Sequence, residues 1–229
     1  MLDLFENNSW KKTNIFFAVI IVFITTFALM YAELLGDFGA FTAWSYLTIG
    51  GGLSLILLVG YDKAKSFFRQ MNKGSWKWIF ISIILGYLVS LLFVGIGTLM
   101  NTPLAENAGF EEPDTTLPLW IEFLDYSMKF FSLIGEEVIT AAIAVIVFYF
   151  ASKKFDSATS WVISAIISAI IFGLMHYTTY DGNIFQCVFV IGIGRLPFTY
   201  AWRKTGSLWG GIWAHVIYDV SLLVLTYLG

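Results

Sequence analysis

The stretch WIFISIILGYLVSLLFVGIGTLM, residues 78–100, runs for 23 positions without a charge. A hydrocarbon core of about 30 Å takes about 20 helical residues to cross, so this run reads as a transmembrane helix. Five further stretches read the same way: 14–32, 41–60, 161–177, 184–202 and 208–228. A seventh, 120–151, is too long for one simple crossing. It opens with Trp120, Glu122, Asp125, Tyr126 and Lys129, a polar and aromatic mixture suited to a membrane interface. Residues 119–129 are therefore expected as an interfacial or protruding turn at the outer face and 130–151 as the crossing. None of the seven alternates strictly between apolar and polar, so helices fit better than barrel strands. The predicted fold is all-α, a polytopic membrane helix bundle of about seven transmembrane helices. The chain reads as one membrane domain, 1–229, with three spans in 1–118 and four in 119–229.

Composition agrees. Of 229 residues, 58% are hydrophobic and 13% charged, where a soluble domain carries about a quarter charged. Charge at that density does not cover a water-soluble globule, which argues against a cytosolic enzyme. A net charge of -3 without a basic stripe argues against a nucleic-acid partner. The single cysteine, Cys187, leaves neither an internal disulfide nor a thiolate metal cluster. Small residues at helical spacing, as in Ser164, Ala165, Ser168 and Ala169, suit close packing of membrane helices. The first span is longer than a signal-peptide core and lacks a small-x-small cleavage site after it, so it reads as a retained span.

Basic residues set the expected orientation. Lys11 and Lys12 precede the first span; Lys63, Lys65, Arg69, Lys73 and Lys77 lie between the second and third. Lys153 and Lys154 follow the fourth, and Arg203 and Lys204 the sixth. The alternate connections, 33–40, 101–118 and 178–183, hold no Lys or Arg, but Glu33, Asp37, Glu106, Glu111, Glu112, Asp114 and Asp181. Seven crossings bring every basic cluster to one side. The expectation is a multi-pass integral membrane protein with a cytoplasmic N-terminus and an outside C-terminus.

Subtracting loops and ends leaves six ionisable groups within the spans: Glu136, Glu137, His176, Arg195, His215 and Asp219. Each costs roughly 2.5–3.5 kcal/mol at the centre of a bilayer unless paired or hydrated, so one shared, water-filled chamber is the economical arrangement. Glu136 and Glu137 point about 100° apart on a helix, so one can face the chamber while the other pairs with a neighbour. Phe172 and His176 share a helix face, as do His215 and Asp219. A carboxylate beside an imidazole can deprotonate water, and a second imidazole with Asp219 can support an oxyanion. Glu with two His is also a zinc ligand set.

These residues carry a family resemblance. Gly135-Glu136-Glu137 resembles the start of the E-E-x-x-x-R motif of the CAAX-processing and bacteriocin-processing (CPBP, or Abi) intramembrane proteases. Phe172-Gly-Leu-Met-His176 is similar to their F-x-x-x-H motif. The stretch from Arg203 through Gly206-Ser207 to His215-Val-Ile-Tyr-Asp219 resembles the third, H-x-x-x-N/D. The resemblance covers about residues 119–228. It implies Glu136 as the base that activates water with help from His176, and His215 with Asp219 as holders of the oxyanion. Glu137 joins them as a candidate catalytic residue; Phe172 and Arg195 are candidates for substrate contact.

The resemblance further implies a glutamic-type endopeptidase that needs no cofactor, zinc being the lesser reading. The implied partners are the lipid bilayer and a small peptide or lipidated protein as substrate. Compact bacterial relatives suggest a bacterial cell membrane and a role in bacteriocin maturation, self-immunity or peptide-pheromone processing. The Ras-converting relatives work from the cytosolic side.

One position departs from the motif: its arginine falls at Ala141. Arg195 is the membrane-embedded cation left to neutralise Glu137, and the two are expected to pair across helices. The departure also fits a degenerate protease acting as a non-catalytic immunity or partner-binding protein. Buried Glu, His and Asp serve proton-coupled transporters too, though no internal repeat supports one. Depth is a further check. Glu136 and His176 fall in the outer half of the membrane. His215 and Asp219 lie about seven and eleven residues from the inner end of their span, an offset on the order of 10 Å. A tilt or break near Gly210-Gly211 would absorb it, as would span ends displaced by one turn.

Overall fold

The computed structural model describes residues 1–6, 11–105 and 118–228. Glu106, Glu111, Glu112 and Asp114, counted above among the acidic connections, lie outside them. The described chain is helical throughout: α1 (Lys12–Met30), α2 (Gly36–Val59), short α3 (Tyr61–Ser66), α4 (Ser75–Leu99), α5 (Leu119–Ala151), α6 (Ser157–Met175), α7 (Leu196–Thr205) and α8 (Leu208–Leu228). Among the described residues six helices are long and apolar enough to cross a membrane: α1, Phe41–Val59 of α2, α4, Phe123–Ala151 of α5, α6 and Leu208–Leu225 of α8. The all-α polytopic bundle expected from sequence is the fold observed.

The stretch 184–202, expected as an ordinary span, is not one α-helix. A π-helical turn, Gln186–Gly192, runs into a 3₁₀ turn, Ile193–Arg195, and only then into α7. Pro197, in the first turn of α7, has no N–H to continue an α-helical ladder back through 193. Two glycines bring the irregular backbone close to its neighbours. A Cβ on Gly192 would stand 2.8 Å from the Ala169 carbonyl oxygen of α6, and one on Gly194 2.5 Å from Ser90 Oγ of α4.

The segment 119–129 also differs from expectation in form. It continues the crossing as one 33-residue helix, α5, about 50 Å long at 1.5 Å per residue. The excess over a bilayer core includes the Leu119 end of the helix, where Trp120 and Phe123 are exposed. In the core, α2 lies along α5 at a close crossing. A Cβ on Gly51 would meet the Ile139 backbone nitrogen at 2.7 Å, and one on Gly135 the Thr48 nitrogen at 2.8 Å.

The α7–α8 turn is sunk beneath the surface, and α8 runs unbroken through Gly210-Gly211, where a break was anticipated. Thr205, Ser207 and Leu208 are fully buried. Residues between α3 and α4 roof them: Leu208 N donates to Phe67 O at 2.7 Å, Asn72 N to Thr205 O at 2.9 Å and Arg69 Nε to Gly206 O at 2.7 Å. The N-terminus completes the roof. Phe5 is packed against Phe67, Phe148 and Trp161, and Arg69 clasps Asp3 at 2.7 Å. That hydrogen-bonded guanidinium, with the N-terminal ammonium, holds the Asp3 carboxyl well below the usual carboxylate range.

Candidate active site

Glu136 and Glu137 are adjacent on α5 and meet different surroundings. Glu137 is fully buried and accepts from three helical segments: Arg195 Nη2 at 2.5 Å and His215 Nδ1 at 3.0 Å on Oε1, and Trp202 Nε1 at 2.7 Å on Oε2. The expected pairing of Arg195 with Glu137 is thus observed. Arg195 is itself buried, stacked over the Phe172 ring at 4.3 Å, with Nη1 3.5 Å from Thr199 Oγ1. Gly211 makes room for this knot, since a Cβ there would stand 1.9 Å from Trp202 Nε1 and 2.7 Å from Glu137 Oε2.

Glu136, 15% exposed, faces the cavity instead. His176 caps the end of α6, where its Nδ1–H donates to Phe172 O at 3.0 Å, because a carbonyl can only accept. Its Nε2 is left facing Glu136 Oε2 at 3.9 Å. His215 repeats the arrangement from α8. Its Nδ1 is committed to Glu137, and its Nε2 lies 3.8 Å from the same Glu136 oxygen and 3.5 Å from Asp219 Oδ2. The Phe198 ring stacks on it, 5.2 Å between centroids. Two imidazole nitrogens and one carboxylate oxygen therefore share a gap of the width a single water can bridge.

This gap lies at the wall of a cavity of about 1040 Å³. Glu136, His176, His215, Asp219, Phe172 and Arg195 line it; Glu137 does not. Phe172 and Arg195, expected against substrate, are each only 2% exposed, so they contribute little surface to that wall. Tyr180 borders the site from the loop beyond α6. Burial, with the carboxylates of Asp219 and Glu136 nearby, pushes its phenol above the ordinary tyrosine range, so its hydroxyl stays a donor. Trp202 lies outside the three motifs and was not among the expected site residues. Its spacing of seven from Arg195 places both on one helical face, which was the available signal.

The arrangement is wider than a zinc set. Bonds of about 2.0 Å at tetrahedral angles hold ligand atoms about 3.3 Å apart, against 3.8 and 3.9 Å here. Among the described residues no three His, Cys, Asp or Glu side chains are grouped to hold a metal ion.

Fold and site together define a polytopic membrane protein with an embedded Glu–His centre beside a cavity. Residues 126–221 match the family model described as Type II CAAX prenyl endopeptidase Rce1-like. The match falls on the segment whose three motifs resemble the CAAX-processing proteases, and it agrees with that resemblance. No curated protein and no solved structure matches the chain.

Proposed function

We propose that the protein is an intramembrane endopeptidase that hydrolyses a peptide bond with water activated by Glu136 and His176. The observation that carries this reading is the convergence of His176 Nε2 and His215 Nε2 on one oxygen of Glu136, at 3.9 and 3.8 Å. Water in that gap gives a proton to Glu136, and its oxygen bonds to the scissile carbonyl carbon. The carbonyl oxygen takes up negative charge beside His215 and Asp219, where Nε2–H of a doubly protonated His215 donates to it. Collapse breaks the C–N bond, and Glu136 returns its proton to the leaving amine. Glu137 acts at one remove. Its acceptance of Nδ1–H aims the other nitrogen of His215 into the gap.

The substrate class is a small peptide or a lipidated protein, in keeping with the largely apolar cavity wall. Bacteriocin maturation, self-immunity and peptide-pheromone processing are the contexts to try first. The non-catalytic reading rested on Ala141, and Arg195 meets the need of Glu137 that Ala141 leaves open. Turnover of a candidate peptide by purified protein tests the proposal, with Glu136→Gln, His176→Ala and His215→Ala compared. Loss in all three, with activity resistant to strong chelators, is expected. Equal turnover in all three would end the protease reading.

A further inference from the structure

The side from which the cavity is entered follows from where its walls lie along each helix. Of thirteen Lys and Arg, eleven fall in the clusters at 11–12, 63–77, 153–154 and 203–204. Contacts gather much of this set at one end of the bundle. Arg69 binds both Asp3 and Gly206 O, Lys63 Nζ donates to Glu6 O at 2.6 Å, and Lys204 lies over Trp78 at 4.5 Å. None of the eleven lines the cavity. The helices that do line it contribute mostly from the half remote from those clusters, and reach back no further than Glu136 and His215. From α1 come Leu29 and Met30, from α4 Tyr87 to Val94, from α5 Tyr126 to Glu136, and from α8 His215 to Leu223. The rim is supplied by Tyr31, Glu33 and Leu34 between α1 and α2, and by Thr178 to Tyr180 after α6.

The other end is closed. Between the cavity and the basic face stand the Glu137–Arg195–Trp202 knot and the fully buried Phe5, Phe67 and Leu208. Lysine and arginine between spans mark the cytoplasmic side of a membrane protein.

We infer that the chamber opens on the non-cytoplasmic face, so that the polypeptide it takes is an exported one, presented from outside the membrane. This rests on the chamber being the substrate site proposed above, and it sets the protein opposite to the Ras-converting members that its motifs resemble.

The test is labelling with a membrane-impermeant maleimide in intact cells and after permeabilisation. Single cysteines are introduced into a Cys187→Ala background, since Cys187 is the one native thiol. Thr178→Cys reports the rim, Ser132→Cys the cavity wall, and Lys154→Cys the basic face. The expected result is labelling of positions 178 and 132 in intact cells to the extent seen after permeabilisation, with position 154 labelled only after it. Labelling of 154 in intact cells, or of 178 or 132 only after permeabilisation, would overturn the inference. Turnover does not enter the readout, so failure of the protease reading and failure of this one are told apart.

Discussion

Adjacent carboxylates on one helix divide two tasks because each meets a different neighbourhood. Glu136 keeps an edge on the cavity, whereas Glu137 is closed in by Arg195, Trp202 and His215. Removing one member of a buried ion pair strands the other, at a cost of about 3–5 kcal/mol, while replacing both can be near neutral. Glu137→Gln and Arg195→Met are each expected to destabilise the detergent-solubilised protein strongly, and the double variant by much less than their sum. Denaturation of the four proteins completes the cycle, and simple additivity would deny the coupling. This pairing was legible in the sequence, because a missing cation at Ala141 and a lone embedded arginine point to each other. The indole of Trp202 was not. A tryptophan in a span usually reads as packing, and only the approach allowed by Gly211 makes it a donor.

Helix α2 illustrates how element packing sets the site. Gly51 faces the α5 backbone at Ile139, one turn from Gly135, whereas a Cβ on Gly52 meets nothing within 4 Å. Gly51→Ala is expected to cost about 1–3 kcal/mol by overpacking, and to lower activity by shifting Glu136. Gly52→Ala should stay within about 0.5 kcal/mol. Thermal unfolding of the two variants separates a close crossing from a general intolerance of substitution. Most crossings were legible because about twenty apolar residues have few alternatives to a membrane helix. The broken stretch at 184–205 was not, since hydrophobicity does not register the missing N–H of Pro197 or the close contacts at Gly192 and Gly194.

At the scale of the whole molecule, the N-terminal segment and the connection from α3 to α4 form a lid over the recessed α7–α8 turn. That recess carries His215 up to the level of Glu136. Basic Arg203 and Lys204 suggested a turn at the membrane face, and nothing in their sequence signals a roof above it. The Asp3–Arg69 clasp lowers the Asp3 carboxyl in the folded state, so its contribution is present above the unfolded value of about 3.9 and fades as pH falls below it. Asp3 is half exposed, which limits that contribution to at most about 1 kcal/mol. The protection factors of the Phe5 and Asn72 amides, taken against the intrinsic exchange rate at each pH, are expected to fall below about pH 4, and Asp3→Asn should lower them at neutral pH too. Over these elements stands the central claim, that Glu136 activates water within the membrane. Its most direct test is single-turnover cleavage of a processed peptide by the purified protein and its Glu136→Gln variant, folded alike. Removal of the base is expected to slow cleavage roughly a hundredfold or more; cleavage at the unaltered rate would rule out that role for Glu136.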